Sequence, residues 1–191
     1  RKIDAMADVI RKHVPKLDAK YLDPNVNTLD RQIGHSEVLL GSLISGLTNV
    51  VAFTVDELGH RYTGLPGIEG QKVNMHDVGH NKSIGGLSAE TIRELARTHH
   101  MKLVDRIVNR LKSVPEGDGT MFDNTMLFYF PDGGETHHSH GWEYPFIILS
   151  GNNARVDLRR RYIRLPNYGQ PGHNTLGNFY TTLLNAYGNP I

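Results

Sequence analysis

Thr125-Met126-Leu127-Phe128-Tyr129-Phe130, followed by Pro131-Asp132-Gly133-Gly134-Glu135-Thr136-His137-His138-Ser139-His140, is the run on which the reading of the chain turns. Its first six residues are short, apolar and aromatic-rich, which predicts a strand buried on both faces, and Pro131 with two glycines ends it. The next stretch, Asp132 to His140, packs two acids and three histidines into nine residues. Packing alone does not explain that density, and open α/β sheets place their sites at the carboxyl ends of strands.

Outward from this strand, two more runs predict buried strands. Val50 to Val55 is β-branched and apolar and ends at Asp56-Glu57, and Pro145 to Leu149 ends at Ser150-Gly151. Helical spacing is clearest over residues 88 to 114. There Ser88 caps, Glu90 sits in the first turn, and Ile92, Leu95, His99, Leu103, Ile107, Leu111 and Val114 form one stripe. Residues 1 to 14 predict a surface helix stopped by Pro15. A second helix is capped by Asn27 or Thr28, and a terminal one, Leu176 to Tyr187, is capped by Asn174 or Thr175 and ended by Gly188. Gly34, Gly41 and Gly46 weaken the second helix, and close approach of another element would explain them. Residues 57 to 87, rich in glycine and carrying three histidines, predict a long irregular stretch of the functional kind. The order predicts an α/β fold with one domain over 1–191.

Composition narrows the chemistry. The 191 residues carry 21 basic and 20 acidic side chains, so no overall field favours nucleic acid or an anionic membrane. Arg159-Arg160-Arg161, with Arg155 and Arg164 nearby, is a local exception. Absence of cysteine excludes disulfides, thiolate nucleophiles and cysteine-ligated metals, so a metal here must use histidine, carboxylate, carbonyl or water. No run reaches the roughly 18 apolar residues that a membrane span needs. Because the sequence opens on Arg1, a processed or partial chain is expected.

Eight of the eleven histidines fall in three groups, and these supply the site candidates. Asp132 with Glu135, His137, His138 and His140 offers carboxylate and imidazole donors suited to a divalent ion. On an extended loop, two of those histidines are expected to coordinate and a third to support them. Asp56-x-x-x-His60, also at a strand exit, is expected to close on a cation with His76 or His80 completing the set. His99 and His100 point about 100° apart on their helix and cannot chelate as a pair, so a structural role is expected, with at least one facing the core. For Arg159 and Arg161 the chemistry is that of a phosphate or sulfate ester, although a solvated edge explains them as well. His173 stands beside a helix start, where free N–H groups favour an anion. No nucleophile elbow and no phosphate-cradling glycine motif is present, so no catalytic residue is assigned.

Pro115-Glu116-Gly117-Asp118-Gly119-Thr120, Asp123-Asn124-Thr125, the loop through His140, the ending from Gly172-His173 to Gly188, and Thr48-Asn49-Val50-Val51 through Thr63-Gly64-Leu65 together carry a resemblance. They resemble a family of uncharacterised, exported bacterial proteins related to the alkaline phosphatase and sulfatase superfamily, of which this chain would cover the C-terminal part. That resemblance implies a mostly parallel sheet flanked by helices, as an incomplete part of a larger fold. It also implies metal ligands at strand ends, a periplasmic or cell-surface location, and the N-terminal part of the same protein as a partner. Asp56 and His60 match the superfamily's Asp-x-x-x-His pair in spacing. Asp132 matches the aspartate of its Asp-His pair, but Gly133 stands where the histidine would be.

The expectation is therefore a metal-binding, hydrolase-like domain that takes zinc, manganese or iron and acts on phosphate or sulfate esters. Its metal ligands would come from Asp56, His60, His76, His80, Asp132, His137, His138 and His140, with Arg159, Arg161 and His173 toward a small anionic substrate. The alternative is a non-catalytic binding or assembly module that retains the fold without the chemistry.

Overall fold

A computed structural model describes residues 2–55, 61–131, 145–156 and 158–188, with residues 2–6 described by their backbone alone. The sequence leads to one domain; the contacts divide the chain into two compact units, Arg1–Met121 and Phe122–Ile191.

The first unit holds helices α1 (Lys2–His13) and α2 (Thr28–Ile44), a two-stranded ladder of β1 (Arg61–Tyr62) and β2 (Val73–Asn74), helices α3 (Met75–Gly79) and α4 (Ala89–Lys112), and a hairpin of β3 (Pro115–Glu116) and β4 (Gly119–Thr120). Local chemistry sets the helix ends. Asn27 Oδ1 accepts from the Asp30 N–H and Ser88 Oγ from the Thr91 N–H, each satisfying a donor that the first helical turn would leave unpaired. Ser88→Ala is expected to lower the unit's stability by about 1 kcal/mol, read as a shift in urea midpoint without a change in slope. Gly46 lies just beyond α2 at φ 71°, and N–H groups of Gly46 and Leu47 bond back to the carbonyls of Leu43 and Ser42. It stops the helix rather than weakening it. Gly34 does sit under another element, since a Cβ there would lie 2.7 Å from Tyr21 Cβ.

α4 packs on α2, and Arg106 of α4 reaches the nearly buried Glu37 of α2 through both its Nε and Nη2. The apolar core is built from Tyr62, Leu65, Ile68, Val73 and Val78 against Ala89, Ile92 and Ala96 of α4. Five of its members thus come from the glycine-rich stretch read as irregular. From residue 61 on, that stretch is not a surface loop: its buried side chains pack against the face of α4.

The second unit contains strands β5 (Met126–Tyr129) and β6 (Ile147–Ser150) and helix α5 (Leu176–Tyr187). β5 and β6 pair antiparallel, with Phe128 opposite Ile148. Phe179 of α5 packs edge-on against Phe128 at 5.8 Å between ring centroids and lies 5.3 Å from Phe146. Thr175 and Asn178 form a reciprocal capping box at the start of α5, and Arg155 Nη1 donates to the Ala186 carbonyl at its end.

Three expectations differ from what the described residues show. Among the described residues every ladder is two-stranded and antiparallel, with no parallel pairing. β5 is half-buried along its length rather than buried on both faces, because one paired strand and one helix cannot cover it as a wide sheet would. Residues 50 to 55 form no strand, and Val50 is 83% exposed. Their β-branched composition had no neighbouring ladder among the described residues to pair with, and propensity without a partner does not make a strand.

Candidate functional site

α3 is short enough to need reinforcement at both ends, and it has it. Asn74 Oδ1 accepts from the His76 N–H at the start. At the end the chain turns through Asn81 at φ 61°, so that the Asn81 and Lys82 N–H groups bond to the Val78 and Asp77 carbonyls. Val78 is fully buried in the core, and Arg93 of α4 donates to the Val78 carbonyl at 2.9 Å and to Asn81 Oδ1 at 3.2 Å. The turn that carries His76 and His80 is thereby anchored to α4.

Four residues apart on this turn, the two imidazoles lie on one face with ring centroids 4.8 Å apart and planes at 68°. His76 is half-buried and His80 exposed. Between them in sequence, Asp77 accepts from Lys82 Nζ at 2.9 Å, and this bond holds its carboxyl below the usual carboxylate range. The pair has the donor type and spacing to share one divalent ion, whereas Asp77 is engaged with a lysine. Among the described residues no group of three or more histidine, cysteine or acidic side chains is arranged to hold a metal. Asp56, His60, Asp132, Glu135, His137, His138 and His140 lie outside the described residues.

A second polar cluster is buried in the same unit. Tyr62, fully buried, donates its hydroxyl proton to the Val55 carbonyl at 2.5 Å. Gln32 Nε2 donates to the same carbonyl and, at 3.1 Å, to the Tyr62 oxygen. His100 Nε2 stands 3.1 Å from that oxygen. Since the phenol's single proton is committed to Val55, His100 carries its own on Nε2 and donates. Burial, with His99 and Arg97 nearby, pushes the His100 imidazole down to about 4. Burial and then Lys102 lower His99 too, while Asp30 acts in the opposite sense. Among the described residues, His99 Nε2 and Gln32 Oε1 are buried and meet no hydrogen-bond partner. Sequence reasoning put His99 in the core stripe; His100 occupies the deeper position, because the buried face of α4 runs Ile92, Ala96, His100, Leu103, Ile107 and Leu111. The network itself was missed. Its one sequence signal is Gln32, spaced four residues apart in turn from Ser36, Leu40 and Ile44 along the buried face of α2.

The remaining candidates, Arg159, Arg161 and His173, lie in the second unit. Arg159 donates to Asn152 Oδ1 at 2.8 Å, and Arg161 is exposed. The chain turns at Arg160, whose φ is 57°. His173 Nδ1 lies 3.2 Å from the Pro166 carbonyl and its ring meets Tyr168 at 5.2 Å. At the start of α5 the Thr175 and Asn178 side chains take up N–H groups that an anion there would use.

No protein-family model, curated protein or solved structure matches the chain. Among the described residues no helix is long and apolar enough to cross a membrane.

Proposed function

We propose that the chain is a divalent-metal-binding, hydrolase-like domain, exported from the cell, that acts on small phosphate or sulfate esters. The observation that supports this reading is the His76–His80 pair, two imidazoles on one anchored turn with rings 4.8 Å apart. Zinc, manganese or iron suits such donors, with Asp56 and His60 proposed from the sequence to complete the set. A bound ion of this kind lowers the pKa of a coordinated water and stabilises negative charge on an ester. The chain's own part is to hold the two imidazoles through the Asn74 cap, the Asn81 turn and Arg93, and to keep Asp77 paired with Lys82.

Dialysis against zinc or manganese followed by elemental analysis is expected to leave about one ion per chain. His76→Ala or His80→Ala should each weaken binding by about tenfold or more, since even the groups that support ligands cost that much when removed. Metal retained equally by both variants would remove the pair from the site. Turnover of phosphate and sulfate esters with added metal, lost in His76→Ala, is the expected sign of an enzyme. Metal binding without turnover would favour the second reading, a binding or assembly module. That reading has its own support in α5, where Leu176, Tyr180, Leu184 and Tyr187 form an exposed apolar stripe.

A further inference from the structure

The second unit carries an arginine-rich segment. Residues 159 to 172 are exposed without exception, and between Leu158 and Gly172 there are four arginines and no acid. Two arginines brace the base of this segment: Arg155 holds the end of α5 through the Ala186 carbonyl, and Arg159 holds Asn152. The far side is closed by the His173–Pro166 contact and by the Gln170 N–H bonding to the Asn167 carbonyl. Between these two ties, exposed Arg160, Arg161 and Arg164 alternate with large apolar side chains that also face solvent: Tyr162 is 92% exposed, Ile163 58%, Leu165 50% and, just beyond, Tyr168 74%.

We infer that this segment is a peripheral docking surface for an anionic lipid bilayer. Three chemistries coincide in it, and one partner satisfies all three. Guanidinium groups pair with lipid phosphates, tyrosines sit at the level of the headgroups with ring inward and hydroxyl outward, and aliphatic side chains enter the acyl boundary. A polyanion such as a nucleic acid or a sulfated polysaccharide would pair with the arginines and stack on the tyrosines. It would leave Ile163 and Leu165 in water. Within a chain of nearly neutral balance, this patch offers an anionic surface local excess positive charge.

The experiment is co-sedimentation of the full chain with phosphatidylcholine vesicles with and without phosphatidylglycerol. Binding to the anionic vesicles alone is expected, weakening as salt rises. Replacing Arg160, Arg161 and Arg164 together with glutamine should reduce partitioning about a hundredfold, at about fivefold per charge near the surface. Ile163→Ser with Leu165→Ser, charges intact, should reduce it about tenfold or more through lost apolar burial. All of these side chains are exposed, so the variants should keep the wild-type far-UV circular dichroism. Equal binding to neutral vesicles, no vesicle binding at all, or an arginine effect with no effect of the serine pair would overturn the inference. Retention by heparin or an oligonucleotide with the last of these patterns would assign the patch to a polyanion instead.

Discussion

Replacing Tyr62 with alanine is expected to cost the first unit about 3 to 5 kcal/mol, the range for emptying a buried aromatic site. Native domains have only roughly 5 to 15 kcal/mol in hand, so the variant should be largely or partly unfolded near room temperature. The reason is twofold. The ring is fully buried in one cluster with Leu65, Val73, Val78 and Ile92, so its removal leaves a cavity in the core. Its hydroxyl is also the hub at which Gln32 of α2, His100 of α4 and the carbonyl of Val55 meet. Tyr62→Phe separates the two contributions. It keeps the ring but leaves the His100 N–H and one Gln32 N–H without their acceptor, while Val55 still receives Gln32. About 1 to 3 kcal/mol is expected for that change. Urea melts followed by far-UV circular dichroism would measure both. A phenylalanine variant as stable as the wild type would mean that the hydroxyl ties nothing together.

Acid is expected to weaken the same unit through His100, beginning above the range in which most carboxylates protonate. Its folded value of about 4 lies below the ordinary 6.5, so the unfolded chain binds the proton more readily throughout that window. Stability contributed by the neutral imidazole is therefore complete above about pH 6.5 and is lost progressively as pH falls toward 4, about 3 kcal/mol over the window. His99 is lowered in the same direction and adds to the loss. Among the described residues, the groups shown beside His100 are Arg97 and His99 on its own helix and the Tyr62 hydroxyl from the element packed against it. None of these supplies a negative charge to accommodate an imidazolium. His100→Gln retains an N–H donor toward Tyr62 and cannot titrate. Its urea midpoint should depend much less on pH between 7 and 4.5 than that of the wild type, and parallel curves for the two proteins would reject the assignment.

Helices were the legible part of the chain. Ser88, Asn27 and Thr175 announce starts that the structure places where their side chains accept from the first-turn N–H groups, and Gly188 marks the end of α5. These signals are read within four residues of sequence, so no knowledge of distant contacts is needed. Strands fared differently because their defining bonds are made to residues far along the chain. Met126 to Tyr129 and Ile147 to Ser150 are strands, overlapping the runs Thr125 to Phe130 and Pro145 to Leu149 read as buried strands, yet neither is buried and their pairing is antiparallel and confined to one two-stranded ladder. Val50 to Val55, of similar composition, is no strand. The site shows the same division. His76 and His80 were singled out for residue type, but the turn that sets them side by side depends on Asn81 in a left-handed conformation and on Arg93 reaching from α4.

What the sequence determined by itself is donor chemistry and local periodicity: which nitrogens and oxygens are present, that no thiolate is among them, and where helices begin and end. Only tertiary structure decided that a glycine-rich stretch would supply the core, that His100 rather than His99 would be its buried imidazole, and that Gln32, Tyr62 and Val55 would meet beneath it. The physical reason is the range of the forces. Caps and helical periods are settled by neighbours within a turn. Burial and the pairing of buried polar groups are settled by whichever distant segments fill the same space.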